Sequence, residues 1–249
     1  TTIFGPLAAI AIEDSVFWMG RNEFYVYSGS VQNLPCTVRD YVFSDINVNQ
    51  SEKITAASNT AFSEVWWFYP SASSQECDKY VVYNYEQQIW FYGNLNRTAW
   101  VDRGVSTNPI AASTDHNLYF QELGLDDGSQ SPKAPISSFI ESSQMSLGDG
   151  DSFAFIGRVI PDLTFGNSSA SNPSVTFTIK SRNFPGGEYL QSNDLSVTKT
   201  SSSPVEQFTN QIYMRLRGRS FAFRIDSSDE GVNWRLGTPR VDVREDGRR

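Results

Sequence analysis

The side chains able to do acid–base or metal chemistry in this chain of 249 residues are few and scattered. The one imidazole is His116, set between Asp115 and Asn117. A Ser-His-Asp triad would have to use it, but its place at the head of an apolar-aromatic run reads as an exposed polar loop position. Asp126-Asp127-Gly128 and Asp149-Gly150-Asp151 offer oxygens of the kind Ca²⁺ takes, yet neither has the spacing that ends in a Glu at the twelfth position. Asp-Gly is also a standard tight-turn pair, and both read as turns. Cys36 and Cys77, with a single His, build no Cys/His zinc cluster and read as packed thiols. These residues imply no catalytic group, no cofactor and no metal.

Two constellations are sharper. Ser227, Asp229, Gly231 and Trp234 fit S-x-D-x-G-x-x-W. The pattern resembles the Asp-box hairpin of sialidases and other propellers, a structural turn: the Asp accepts backbone N–H groups, Gly takes the left-handed position and Trp packs beneath. Arg215, Arg217 and Arg219 alternate, so an unbroken strand places all three on one face, with Met214 and Leu216 on the other. Arg224 and Arg235 follow, then Arg240, Arg244, Arg248 and Arg249. Arg forks pair bidentately with carboxylates, which makes Arg215, Arg217, Arg219, Arg224 and Arg235 candidate interface residues.

The elements that must position these residues read as strands. Ser15–Met19 and Glu23–Tyr27 flank Gly20-Arg21-Asn22 as a hairpin, and Tyr80–Tyr85 and Ile89–Tyr92 flank Glu86-Gln87-Gln88 as another. Val65–Tyr69, Asn117–Gln121, Ser152–Ile156, Ser174–Lys180, Gln211–Arg217 and Ser220–Asp226 follow the same period of two. No segment carries a convincing helical stripe; the longest candidate, Ser137–Leu147, is Ser-rich. The fold class expected is all-β.

A repeat refines this. Ala11–Trp18, Ala61–Trp67 and Ala112–Phe120 each run from a small residue through a polar stretch into an aromatic strand. Trp18, Trp67 and Phe120 are 49 and 53 residues apart. Such a period in short antiparallel strands predicts β-propeller-like blades, whose large aromatics pack on the next blade. Five of the six tryptophans accordingly precede residue 101. Beyond about residue 123 the loops turn rich in Gly, Ser, Asp, Asn and Pro. The organisation expected is blades over 1–123 and an additional β-region with Arg-rich C-terminal strands over 124–249.

Charge excludes a general nucleic-acid binder. The net charge is −8, and the residues up to 210 carry −11 while those from 211 carry +3. No run of 18 apolar residues is present, so no membrane-spanning helix is expected. No basic stretch followed by an apolar run opens the chain, so the sequons at Asn49, Asn96 and Asn167 read as chance matches. With Thr1 at its start, the chain is expected to be part of a longer protein.

Several segments together resemble the large tail hub or nozzle proteins (tail tubular protein B-like) of short-tailed bacteriophages. They are Phe17-Trp18-Met19-Gly20, Phe24–Gly29, Leu34-Pro35-Cys36, Val42-Phe43 to Asn47, and the hairpin from Tyr83-Asn84-Tyr85 to Trp90. The ending, Asn233–Gly237, Arg240–Val243 and Asp246–Arg249, adds to them. The resemblance implies a C-terminal portion of a non-enzymatic virion structural protein, assembled in the host cytoplasm. It implies a ring of copies, six-fold, contacting adaptor, portal-side and other tail proteins, with DNA passing through unbound. It brings no catalytic residues. The alternatives are a sialidase-like propeller glycosidase acting on host glycans, or a receptor-binding adhesin module that uses exposed Trp and Tyr.

Overall fold

Period-two alternation folds as strands almost throughout, and the computed structural model is all-β, built of antiparallel sheets. It describes residues 2–146, 148–184, 187 and 200–247. None of the sheets among the described residues closes into a barrel. Contacts divide the chain into two compact units, Thr1–Leu123 and Gly124–Arg249.

In the first unit, β1 (Ala9–Ile12), β2 (Ser15–Met19), β3 (Phe24–Tyr27) and β4 (Val31–Leu34) form one meander in sequence order. A short helix, α1 (Arg39–Asp45), and a 3-10 turn (Val48–Lys53) lead to the next. That second meander is β5 (Thr55–Asn59), β6 (Glu64–Tyr69), β7 (Lys79–Asn84) and β8 (Ile89–Asn94). The third sheet is β9 (Ala99–Val101), β10 (Ile110–Ala112) and β11 (Leu118–Phe120). The turns are built locally. Gly20 N–H bonds the Glu23 carbonyl at 2.8 Å, and a Cβ there would lie 2.6 Å from the Tyr25 ring. The Asn84 side chain accepts the N–H groups of Glu86 and Gln87 at 3.1 and 2.7 Å, closing the β7–β8 hairpin.

The three sheets pack face to face. β6 is the middle strand of that arrangement, and its alternation sends Val65, Trp67 and Tyr69 to one side and Trp66 and Phe68 to the other. Val65, Trp67, Tyr69, Val81 and Tyr83 join Phe17, Met19, Phe24 and Leu34 of the first sheet in one core. Trp66, Phe68 and Val82 join Ala57, Cys77 and the partly buried Trp100 of β9 in another. Indole N–H groups tie the layers. Trp67 donates to the Ala8 carbonyl at 3.1 Å, Trp90 to Pro35 at 2.8 Å, and Trp100 to Ser58 at 2.8 Å. Leu7 and Thr55 form a parallel bridge, so the entries of the first two sheets run side by side.

The repeat anchored on Trp18, Trp67 and Phe120 is out of step with this order. Trp18 and Trp67 lie on the second strands of their sheets, whereas Phe120 lies on the third strand of its sheet. The small-polar-aromatic pattern marks any tight hairpin, whichever pair of strands it joins. The first strands β1, β5 and β9 carry the structural repeat, starting about 45 residues apart.

In the second unit the strands are β12 (Asp126–Asp127), β13 (Ala134–Pro135), β14 (Ser138–Glu141), β15 (Met145–Ser146), β16 (Ala154–Ile160), β17 (Leu163–Thr164), β18 (Ser174–Arg182), β19 (Thr200–Glu206), β20 (Ile212–Gly218), β21 (Ser220–Ser227), β22 (Arg235–Leu236) and β23 (Arg240–Glu245). The described residues of the Ser-rich candidate Ser137–Leu147 therefore supply two short strands that pair with β21, not a helix, and Leu147 lies outside the described residues. One sheet runs β14-β21-β18-β19 and another β20-β16-β23. Ala154, Ile156, Val159, Ile212, Met214 and Leu216 of the latter pack on Val175, Phe177, Ile179, Val205 and Ile225 of the former. Each fully buried Val, Ile, Leu, Met or Phe side chain among them is worth about 1.5–3 kcal/mol of transfer free energy.

Trp67 fills the middle of the first core and closes a buried hydrogen bond, while Phe62 is 51% exposed in the β5–β6 turn. Trp67→Ala is expected to cost about 3–5 kcal/mol, and Phe62→Ala no more than about 0.5 kcal/mol, in urea unfolding followed by tryptophan fluorescence. Equal losses would contradict the assigned core.

Candidate functional site

The richest gathering of charged and aromatic side chains is the outward face of the β20-β16-β23 sheet. Because Ile212, Met214 and Leu216 are drawn into the core, Tyr213, Arg215 and Arg217 must face out. Register then adds residues from the neighbouring strands. Phe155 of β16 lies between Arg217 and Arg244, and Arg158 lies between Tyr213 and Asp242, on either side of a bulge at Gly157. Arg158, Arg215, Arg217 and Arg244 thus share one exposed face. Arg217 bonds Asp246 through its Nε and stacks on the Phe153 ring, 4.0 Å from the centroid. Arg158 approaches Asp242 at 3.7 Å, and Arg244 sits 5.3 Å from the Phe155 centroid. Arg215 has no ion-pair partner among the described residues. Since β20 lies at the sheet edge, such charges also discourage edge-to-edge strand pairing.

The other arginines read from the sequence fall elsewhere. β20 ends at Gly218 and the chain crosses to the opposite sheet, so Arg219 leaves the strand face and sits half-buried, 4.8 Å from the Phe153 centroid. The face is therefore interrupted where the alternation alone would continue it. Arg224 lies on β21, bonded to Glu141 at 3.1 Å and Asp226 at 3.2 Å and stacked on Phe139. Arg235 is exposed on β22. Arg158, whose sequence neighbours hold no other Arg, joins the group only through β16 pairing; no local signal could have found it.

The Ser227–Trp234 segment is a crossover and not a hairpin, since β21 and β22 belong to different sheets. Ser227 is buried at the end of β21. Gly231 has φ +69°, and a Cβ there would meet Ser169 Oγ at 2.3 Å. Its N–H is accepted by Asp126 at 2.7 Å, while the Asp229 carboxylate accepts the Ser174 hydroxyl at 3.2 Å. Trp234 packs on the core and donates to Ser138 Oγ at 2.9 Å. Asp126 thus serves this turn. Asp127 and Asp149 accept the N–H groups of Ser129 and Asp151 at 2.9 and 3.1 Å, as turn-forming aspartates do.

His116 is exposed in the β10–β11 turn at φ +67°. Beside it, the Tyr119 hydroxyl bonds Asp115 and holds that carboxyl low, at about 2. Cys36 borders a cleft of about 290 Å³ formed with Glu23, Phe24, Asn33, Leu34, Pro35 and Arg39. Burial pushes its thiol up to about 11, and that of Cys77 to about 12, so neither is a ready nucleophile.

Sequence reasoning missed one acidic pair. Asn59, fully buried at the end of β5, donates to Glu64 and to Glu122, at 3.3 Å each, and Trp66 donates to Glu64 at 2.9 Å. Burial raises both carboxyls, and Glu122 adds to the rise at Glu64. Glu64 and Glu122 are 58 positions apart in sequence and meet only through packing of the second and third sheets.

No protein-family model matches the chain, and no curated protein matches it. No helix among the described residues is long and apolar enough to cross a membrane.

Glu141 and the Glu64–Glu122 pair are shifted in opposite directions. Burial pulls Glu141 up, but hydrogen bonds from Lys180 and Arg224 outweigh it and leave its pKa below the ordinary value. Its support is therefore present above about pH 4.5 and lost as pH falls through the lowered value. The raised Glu64 and Glu122 do the reverse, favouring the fold below about pH 4.5 and costing stability as pH rises through their raised values. Glu141→Gln is expected to lose about 1 kcal/mol at pH 7 and Glu122→Gln to gain stability there. Both differences should shrink as pH falls below about 4.5, read in urea titrations at pH 7 and at lower pH. Glu141→Gln matching the parent at pH 7 would contradict the network.

Proposed function

We propose that the chain is a non-enzymatic structural component of a virion tail, part of the tube or nozzle of a short-tailed bacteriophage. The observation that carries this reading is the succession of antiparallel meanders in residues 1–123. They pack face to face with indole N–H groups bridging each sheet to the one before, as β-propeller blades do. The segments that resemble the nozzle family, Phe17–Gly20, Phe24–Gly29 and Tyr83–Trp90, are strands and turns of these meanders.

The surface chemistry agrees. An acidic body, net −11 over the residues up to 210, repels passing phosphates and so suits a conduit that must not grip DNA. The arginine-bearing sheet supplies a basic face for the acidic surface of a neighbour, and heterologous contacts of that kind close rings such as a six-fold tail ring. Adaptor, portal-side and other tail proteins are the partners of such a ring. A propeller glycosidase is the alternative, and turnover of a fluorogenic sialoside would favour it.

Arg215 makes this testable, because it is exposed and holds no intramolecular ion pair among the described residues. Arg215→Glu is expected to leave the melting temperature unchanged and to reduce ring assembly at least tenfold, read by particle counting in electron micrographs. The double exchange Arg215→Glu with Arg244→Glu, both exposed on that face, should abolish assembly. Normal six-fold particles from these variants, or a parent protein found as a stable monomer in no particle, would overturn the reading.

A further inference from the structure

The stacking rule of residues 1–123 stops at both ends with an apolar face uncovered. In the third sheet, Trp100, Ala111 and Tyr119 lie on the face whose indole contacts the second sheet. The opposite face carries two cross-strand rows, Val101–Ile110–Phe120 and Ala99–Ala112–Leu118. Every residue in both rows is apolar. Val101 is 69% exposed, Leu118 74% and Phe120 60%. An antiparallel sheet with one solvated face normally alternates apolar-in with polar-out, so this face has the composition of a buried one.

The first sheet ends the arrangement at the other side. Phe17, Met19, Phe24 and Leu34 face the second sheet, so alternation places Val16, Trp18, Tyr25, Tyr27 and Val31 outward, with Asn33 the polar member of the row. Trp18 stacks on Tyr25 at 5.4 Å between centroids. Trp18 occupies the second strand of its sheet, as Trp67 does in the next. Trp67 and Trp100 each donate an indole N–H backward to a carbonyl of the preceding sheet. Trp18 lies on the outward face of the first sheet, and its indole N–H has no acceptor among the described residues.

We propose that the outer face of the third sheet of one copy docks on the outer face of the first sheet of a second copy of this chain. The contact continues the two sheet-on-sheet interfaces already present within each copy. It is a different surface from the arginine-bearing sheet and stands without the virion reading. The surfaces are non-identical, so the contact is heterologous and propagates into a ring or a filament. A face of three short strands falls below the roughly 1,200 Å² of total burial typical of stable interfaces. Each contact is therefore weak on its own and gains strength from closure or from further interfaces.

The test is sedimentation of the full chain carrying Arg215→Glu, the parent here, so that the arginine-bearing sheet does not contribute, from about 10 µM to about 1 mM, the range in which small interfaces associate. Two exposed-face variants are used, Leu118→Lys with Phe120→Glu, and Tyr27→Glu with Val31→Lys. The parent is expected to associate with rising concentration. Each variant alone should remain monomeric with an unchanged melting temperature, and a mixture of the two should form dimers and nothing larger. Four results would overturn the proposal. They are a parent monomeric throughout, either variant still associating alone, a mixture that stays monomeric, and a variant whose melting temperature drops, which would mean the face is already covered within the chain.

Discussion

The alternation of two adjacent indoles in β6 is the constraint on which residues 1–123 depend. Trp66 and Trp67 are neighbours in the chain and cannot face the same way in a strand. Trp67 enters the core shared with the first sheet, 4.9 Å from Phe24 between centroids. Trp66 enters the core shared with the third, 5.3 Å from Trp100. A sheet that carries its largest side chains on both faces can satisfy them only between two others. The helix α1 contributes Val42 and the end of the 3-10 turn Ile54 to the first core, and the hydrogen bonds to Ala8, Pro35 and Ser58 set how the layers sit.

The second unit obeys the same periodicity with a different outcome. Its sheets each present one apolar face, and pairing them leaves the other faces to solvent. The identity of what faces out is then free to serve contact chemistry. In β20 the choice is Tyr213, Arg215 and Arg217, in β16 Phe155 and Arg158, in β23 Asp242 and Arg244. The aromatic rings hold the guanidinium planes, as Phe153 does for Arg217 and Arg219, so part of each arginine's entropy cost is met before any partner arrives.

What could be read from the sequence follows from how local each signal is. Alternation located the strands around Trp18, Trp67, Val81 and Leu216, because a period of two needs only a few residues to declare itself. The short helix α1 escaped notice because seven residues with Val42 alone buried carry no stripe. The hairpin grammar shared by β1–β2, β5–β6 and β10–β11 marks tight turns, and it falls out of phase with the strand order in the third sheet. Asp229 was expected to cap its own turn, and Asp126 caps it instead from 105 positions away. Arg158 and the Glu64–Asn59–Glu122 cluster were illegible for the same reason, since nonlocal packing alone brings them together.

The central claim is that the second sheet is sandwiched while the third is a sheet still awaiting its cover. Hydrogen exchange across residues 1–123 tests it most directly, because amide protection follows how deeply each strand is enclosed. The account predicts that β6 and β7 exchange slowest in dilute protein, that β9–β11 exchange fast there, and that β9–β11 gain protection as concentration rises. Protection of β9–β11 equal to that of β6 in a dilute monomer would contradict it.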